Sequence, residues 1–127
     1  MSRPKRVLFL LEESPAAHIR FFEGMRMALG FSVSHPGLEV LLTGKAVRAV
    51  SDFRPSEIGM PPELLEFFPL FQDLEIRTFV DLDALERLGL PKDLPPVFHL
   101  IDAKSISEKI RTADIVIGFG SMSREGV

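Results

Sequence analysis

The run Val7-Leu8-Phe9-Leu10-Leu11, closed by Glu12-Glu13-Ser14-Pro15, decides how the rest of the chain is read. An unbroken apolar run followed by charge and a helix-start signal describes a strand buried on both faces that feeds a helix. Such strands belong to parallel sheets covered on two sides. The basic start Met1-Ser2-Arg3-Pro4-Lys5-Arg6 has the look of a secretory leader. The apolar run behind it is too short for one, so it reads as a strand and the expected address is cytoplasmic. No stretch approaches about 18 consecutive apolar residues, so no membrane partner is expected.

Outward from this strand, short apolar runs alternate with helical patterns, the mark of β-α units and a mostly parallel sheet. Ser14 reads as an N-cap and Pro15 as the first helical residue. The helix expected over 15–31 sets Ile19, Phe22, Met25 or Arg26, and Leu29 at core spacing, with Arg20, Glu23 and Arg26 on another side. Phe21, Met27 and Phe31 widen its apolar surface. A second strand is expected over 38–42, ended by Thr43-Gly44, then a short helix over 45–50 and a Pro- and Gly-broken loop. Residues 62–71 are expected to form a helix apolar on nearly every side, which Pro69 should kink or end. Strands over 75–80, 97–101 and 115–119 alternate with helices over 81–88 and 103–111, the former closed by Gly89. One domain is expected over 1–127, without repeats or linkers.

Composition narrows the chemistry. Fifteen basic against 18 acidic residues give a formal net charge of -3, which argues against a general nucleic-acid surface. Cysteine is absent, which excludes disulfides, thiolate metal sites, iron–sulfur clusters and thiol or persulfide chemistry on this polypeptide. Asn is absent, Gln occurs once at Gln72, and there are 10 prolines, a pattern expected of a thermophilic source.

In an open parallel sheet, ligands sit beyond the carboxyl ends of the strands. There the chain offers Glu13, Ser14 and His18, then Thr43 and Gly44, then Asp81, as ligand-cleft candidates. The first loop has two carboxylates and no glycine, so it cannot cradle a phosphate as a Gly-rich turn does. Glu13 with His18 is either an acid–base pair or half a metal site; otherwise Glu13 favours a helix N-terminus and His18 is a surface residue. The distant His35 and His99 favour the second reading, so no metal and no catalytic residue is assigned. Ser14 serves as a cap without needing the base and oxyanion hole a nucleophile requires.

The stretch Phe67-Phe68-Pro69-Leu70-Phe71 competes with other phenylalanines for a limited interior. Part of this surface is therefore expected in a subunit interface, with Phe21, Met25, Leu64, Phe67, Phe68 and Phe71 as candidates.

The order of these pieces resembles the DsrE/DsrF-like sulfur-relay family, most closely its TusC (DsrF) branch. The likeness runs through residues 7–10 with Glu13-Ser14-Pro15, then 23–29, 38–47, 79–90 and 113–119. It implies a three-layer α/β/α sandwich with a five-stranded parallel sheet. It also implies trimeric or hexameric assemblies, homomeric or with Cys-bearing DsrE/TusD-like subunits. In the family's active subunit a cysteine just after the third strand carries sulfur as a persulfide; matched through Leu85 to Gly89, that position here is Asp81. A carboxylate cannot pass a sulfane sulfur. The resemblance thus implies a non-catalytic subunit, without cofactor, in a relay serving wobble-uridine 2-thiolation of tRNA or sulfur oxidation. The alternatives are a homo-oligomeric small-molecule- or metal-binding protein using the strand-end cleft, and an acid–base enzyme built on Glu13 and His18.

Overall fold

A computed structural model describes residues 5–14, 18–50 and 66–119. Five strands, β1 (Val7–Leu11), β2 (Glu39–Leu42), β3 (Arg77–Asp81), β4 (Phe98–Ile101) and β5 (Ile115–Phe119), pair in parallel in the order β4-β3-β2-β1-β5. The helices are α1 (His18–Ser32), α2 (Phe67–Asp73), α3 (Leu82–Arg87) and α4 (Ala103–Thr112), and a 3-10 segment, Gly44–Val50, follows β2. All five expected strands form, within two residues of their expected ends.

The connections explain the layers. From β1 to β4 the chain steps the same way across the sheet three times, then returns over it to β5. Parallel crossovers are right-handed, so helices on the outward steps share one face and the return helix takes the other. The core clusters divide accordingly. On the first face Val7, Phe9, Leu11, Val40, Leu42 and Val80 pack with Phe21, Met25 and Ala28 of α1, Phe68 and Phe71 of α2, and Ala84 and Leu85 of α3. On the second, Leu8, Leu41 and Phe79 meet Ile106 of α4.

The buried stripe of α1 runs through Phe21, Gly24, Met25 and Ala28, whereas Phe22 is half-buried. Of the expected stripe, Met25 is buried, while Phe22 and Leu29 pack against the core only half-buried. A Cβ at Gly24 would stand 3.0 Å from Leu11 Cδ2 and 3.3 Å from the Phe119 ring. At Gly24 the helix lies against Leu11 and Phe119 with no room for a side chain, and Phe21, Met25 and Ala28 around it turn inward.

Pro69 neither kinks nor ends α2. It sits in the first turn, where the missing N–H has no intrahelical acceptor to lose. Residues 62–65 of the expected helix lie outside the described residues. Phe71 is fully buried and Phe68 4% exposed; burying a side chain of this size contributes roughly 1.5–3 kcal/mol. Phe21 and Met25 are equally enclosed. These four phenylalanine and methionine side chains therefore lie in the subunit's own interior. Of the six interface candidates, Phe67 alone is described and half-buried; Leu64 lies outside the described residues.

Among the described residues, a single helix covers the second face. Helix α4 has no buried residue, Ile110 and Val116 are each 41% exposed, and Leu10 is half-buried. No helix among the described residues is long and apolar enough to cross a membrane.

Candidate functional site

At the carboxyl edge of the sheet, pairing of Leu42 with Val80 sets Thr43 opposite Asp81. The Thr43 hydroxyl donates to Asp81 Oδ2 at 2.6 Å, and the Ala84 N–H donates to Oδ1 at 3.3 Å. Asp81 thus ends β3, caps α3 and holds the end of β2 at once, and it is only 7% exposed. Both carboxylate oxygens are engaged within the fold. The Thr43 N–H donates to Leu11 O at 3.0 Å, and the Glu12 N–H to Phe119 O at 2.8 Å. The ends of β5, β1, β2 and β3 are therefore laced together. Gly44 turns the chain out of β2 with φ 55°, a left-handed conformation that glycine adopts without steric cost.

Of the sequence candidates, Thr43, Gly44 and Asp81 are brought together here. Glu13 and Ser14 follow β1 and are half-buried. Residues 15–17 and the His18 side chain lie outside the described residues, and with them the Glu13–His18 pair and the proline start of α1. Among the described residues, no group of three or more His, Asp or Glu side chains is placed to hold a metal ion.

One strand further out the same corner repeats. Asp102 follows β4 and caps α4, its Oδ1 accepting the Ser105 N–H at 2.9 Å. The Ser105 backbone and side-chain hydrogen bonds hold its carboxyl below the ordinary aspartate value of 3.8. Two acidic caps after successive strands mark this edge as structurally organised by aspartate.

Residues at the opposite edge carry more charge than the sequence reading recognised. Glu39 opens β2 and Arg77 opens β3, directly paired in register. The Arg77 guanidinium bonds Glu39 Oε2, while Lys109 Nζ reaches Glu39 Oε1 at 2.8 Å and lies 3.8 Å from the Phe79 ring centroid. Around them is a cavity of about 450 Å³, also lined by Lys5, Arg6 and Pro36. The available signal was an acidic residue at one strand start and a basic one at the next. It becomes a pair only once the strand order is known.

A smaller cavity, about 210 Å³, lies between α1 and α2 and is lined by Phe22, Glu66, Phe67 and Leu70.

A parallel five-stranded sheet with helices on both faces, no glycine-rich phosphate turn after β1, and an aspartate cap at the end of β3 defines a class: an α/β/α sandwich distinct from the dinucleotide-binding proteins it superficially resembles. Within that class the chain belongs to the DsrE/DsrF-like family, whose model matches residues 5–119. Its fold is similar to that of the ychN protein from E. coli, with a TM-score of 0.77 at 15% sequence identity, covering 91% of this chain and 99% of that one. No curated protein sequence matches the chain.

Proposed function

We propose that this chain is a non-catalytic, TusC/DsrF-like subunit of an oligomeric, cytoplasmic sulfur-relay assembly that supports persulfide transfer by a Cys-bearing partner. The observation that carries this reading is Asp81. The family resemblance sets the sulfur carrier just after the third strand, and here that place holds a carboxylate with both oxygens committed to the fold. With no sulfhydryl anywhere in the sequence, the chain must act through a partner's thiol.

Two surfaces support an assembled state. Among the described residues, the second sheet face is covered by one helix, with Val116 and Ile110 partly exposed, and Phe67 and Leu70 rim the groove between α1 and α2. The relay's end use, wobble-uridine 2-thiolation or sulfur oxidation, belongs to the partner's chemistry. Direct nucleic-acid contact by this chain is not part of the reading.

The test mixes the purified chain with a Cys-bearing DsrE/TusD-like subunit from the same source. Light scattering after size-exclusion should show a joint trimer or hexamer, and the partner's persulfide should turn over faster in the mixture than alone. A monomer that neither binds the partner nor alters its persulfide turnover overturns the reading.

A further inference from the structure

Beyond the sulfur-relay reading and independent of it, we infer that the cavity at the amino edge of the sheet is a binding site for a small phosphate monoester. Its charge is the first reason. Among the described residues, Lys5, Arg6, Arg77 and Lys109 line the cavity against the single carboxylate of Glu39. At its margin the Asp114 carboxylate accepts the Arg6 N–H at 2.7 Å. Counting Asp114, four cations face two carboxylates among the described residues. The carboxyl end of α4 subtracts roughly half an elementary charge more. The remaining surplus exceeds one unit, so a doubly charged head group matches it better than a lone carboxylate does.

The disposition of the cations is the second reason. Lys109 is fixed by Glu39 and the Phe79 ring, and its side chain is 23% exposed. Arg77 also bonds Glu39, but its side chain is 63% exposed, so it can share its fork with a ligand. The side chains of Lys5 and Arg6 are exposed and form no ion pair with another described residue. A fixed ammonium at the back and three accessible cations toward solvent form a receptor for oxyanions, in which guanidinium groups bond phosphate oxygens in pairs.

Size is the third reason. A cavity of about 450 Å³ is within the range of small-molecule sites, whereas one water occupies roughly 30 Å³. A bare tetrahedral oxyanion fills only a small part of it. An ester places the head among the cations and leaves its organic body against Pro36 and the start of β1.

Calorimetric titration of the full chain at low salt, with inorganic phosphate and phenyl phosphate as probes, tests this. One-to-one saturable binding is expected, tighter for phenyl phosphate. The double variant Lys5→Ala, Arg6→Ala should weaken it about ten-fold or more, since each charge-assisted hydrogen bond lost costs about that factor. Lys92→Ala, which removes an exposed cation paired with Glu86 away from the cavity, should leave binding unchanged. Circular dichroism confirms that the variants are folded; Arg77→Ala replaces the double variant if it is not. No binding at millimolar probe overturns the inference. So does an equal loss in Lys92→Ala, which makes the effect general charge, or inorganic phosphate binding as tightly as the ester.

Discussion

The Thr43 hydroxyl and the Asp81 carboxylate meet at 2.6 Å across the carboxyl ends of β2 and β3, joining two strands and a helix start through one side chain. At the position where the family resemblance places a sulfur carrier, this chain has a structural fastening. Asp81→Ala removes the α3 cap and strands the Thr43 hydroxyl, so it should cost about 2–3 kcal/mol. Asp81→Asn keeps a side-chain oxygen for the cap and should lose less. Denaturant unfolding of both variants checks the order, and in a double-mutant cycle Thr43→Val should cost little once Asp81 is Ala.

The second cap predicts a pH response. Asp102 titrates below its ordinary value in the folded protein, because the ionised carboxylate accepts the Ser105 N–H. A depressed folded pKa means that its contribution is fully present above the unfolded value of 3.8 and disappears as pH falls through the folded value. Thermal unfolding followed between about pH 6 and pH 2 should show a steeper acid loss in the natural chain than in Asp102→Asn, which caps without titrating. Parallel slopes would remove Asp102 from the account.

Glu75 ends α2 in the left-handed region, with φ 62°. The Ile76 N–H donates to Phe71 O at 2.8 Å, and the same closing bond recurs after α3, where the Leu90 N–H donates to Leu85 O at 2.9 Å. There the left-handed residue is Gly89. Side chains cost about 1–2 kcal/mol in this conformation, partly offset by glycine's larger chain entropy. Glu75→Gly should therefore raise stability by up to about 1 kcal/mol. A melting temperature at or below that of the natural chain would contradict this.

Thr78 lies on the first sheet face with its Oγ1 fully enclosed and without a hydrogen-bond partner among the described residues. An unsatisfied buried hydroxyl costs about 1–3 kcal/mol. Thr78→Val keeps the shape, suits a strand, and should be neutral to stabilising by about 1 kcal/mol. Thr78→Ser keeps the hydroxyl, opens a methyl-sized void and should destabilise. The Thr78→Val unfolding midpoint should stay or rise, while that of Thr78→Ser falls.

The chain's strands were legible because buried parallel strands read as unbroken apolar runs, as at 7–11 and 115–119, and the breaks between them carry caps and glycines. The acidic caps at Asp81 and Asp102 were visible as residues but not as caps joined to other strands, since Thr43 is 38 positions from Asp81. How the phenylalanines divide between interior and surface was hidden for a related reason. Periodicity marks which residues of 67–71 are apolar but not how they share the interior, and Phe68 and Phe71 are seated there by the packing of α2 on β3 and β4.

By itself the sequence determined the α/β class, the order of its strands along the chain and the absence of any thiol chemistry. These depend on local pattern and composition, which need no partner to be read. The tertiary structure alone decided which face each helix covers, where α1 turns Gly24 toward Leu11, and that Glu39, Arg77 and Lys109 form one charged cluster. Those relations arise when right-handed crossovers and strand register bring distant residues together, and no local pattern encodes a distance across the sheet.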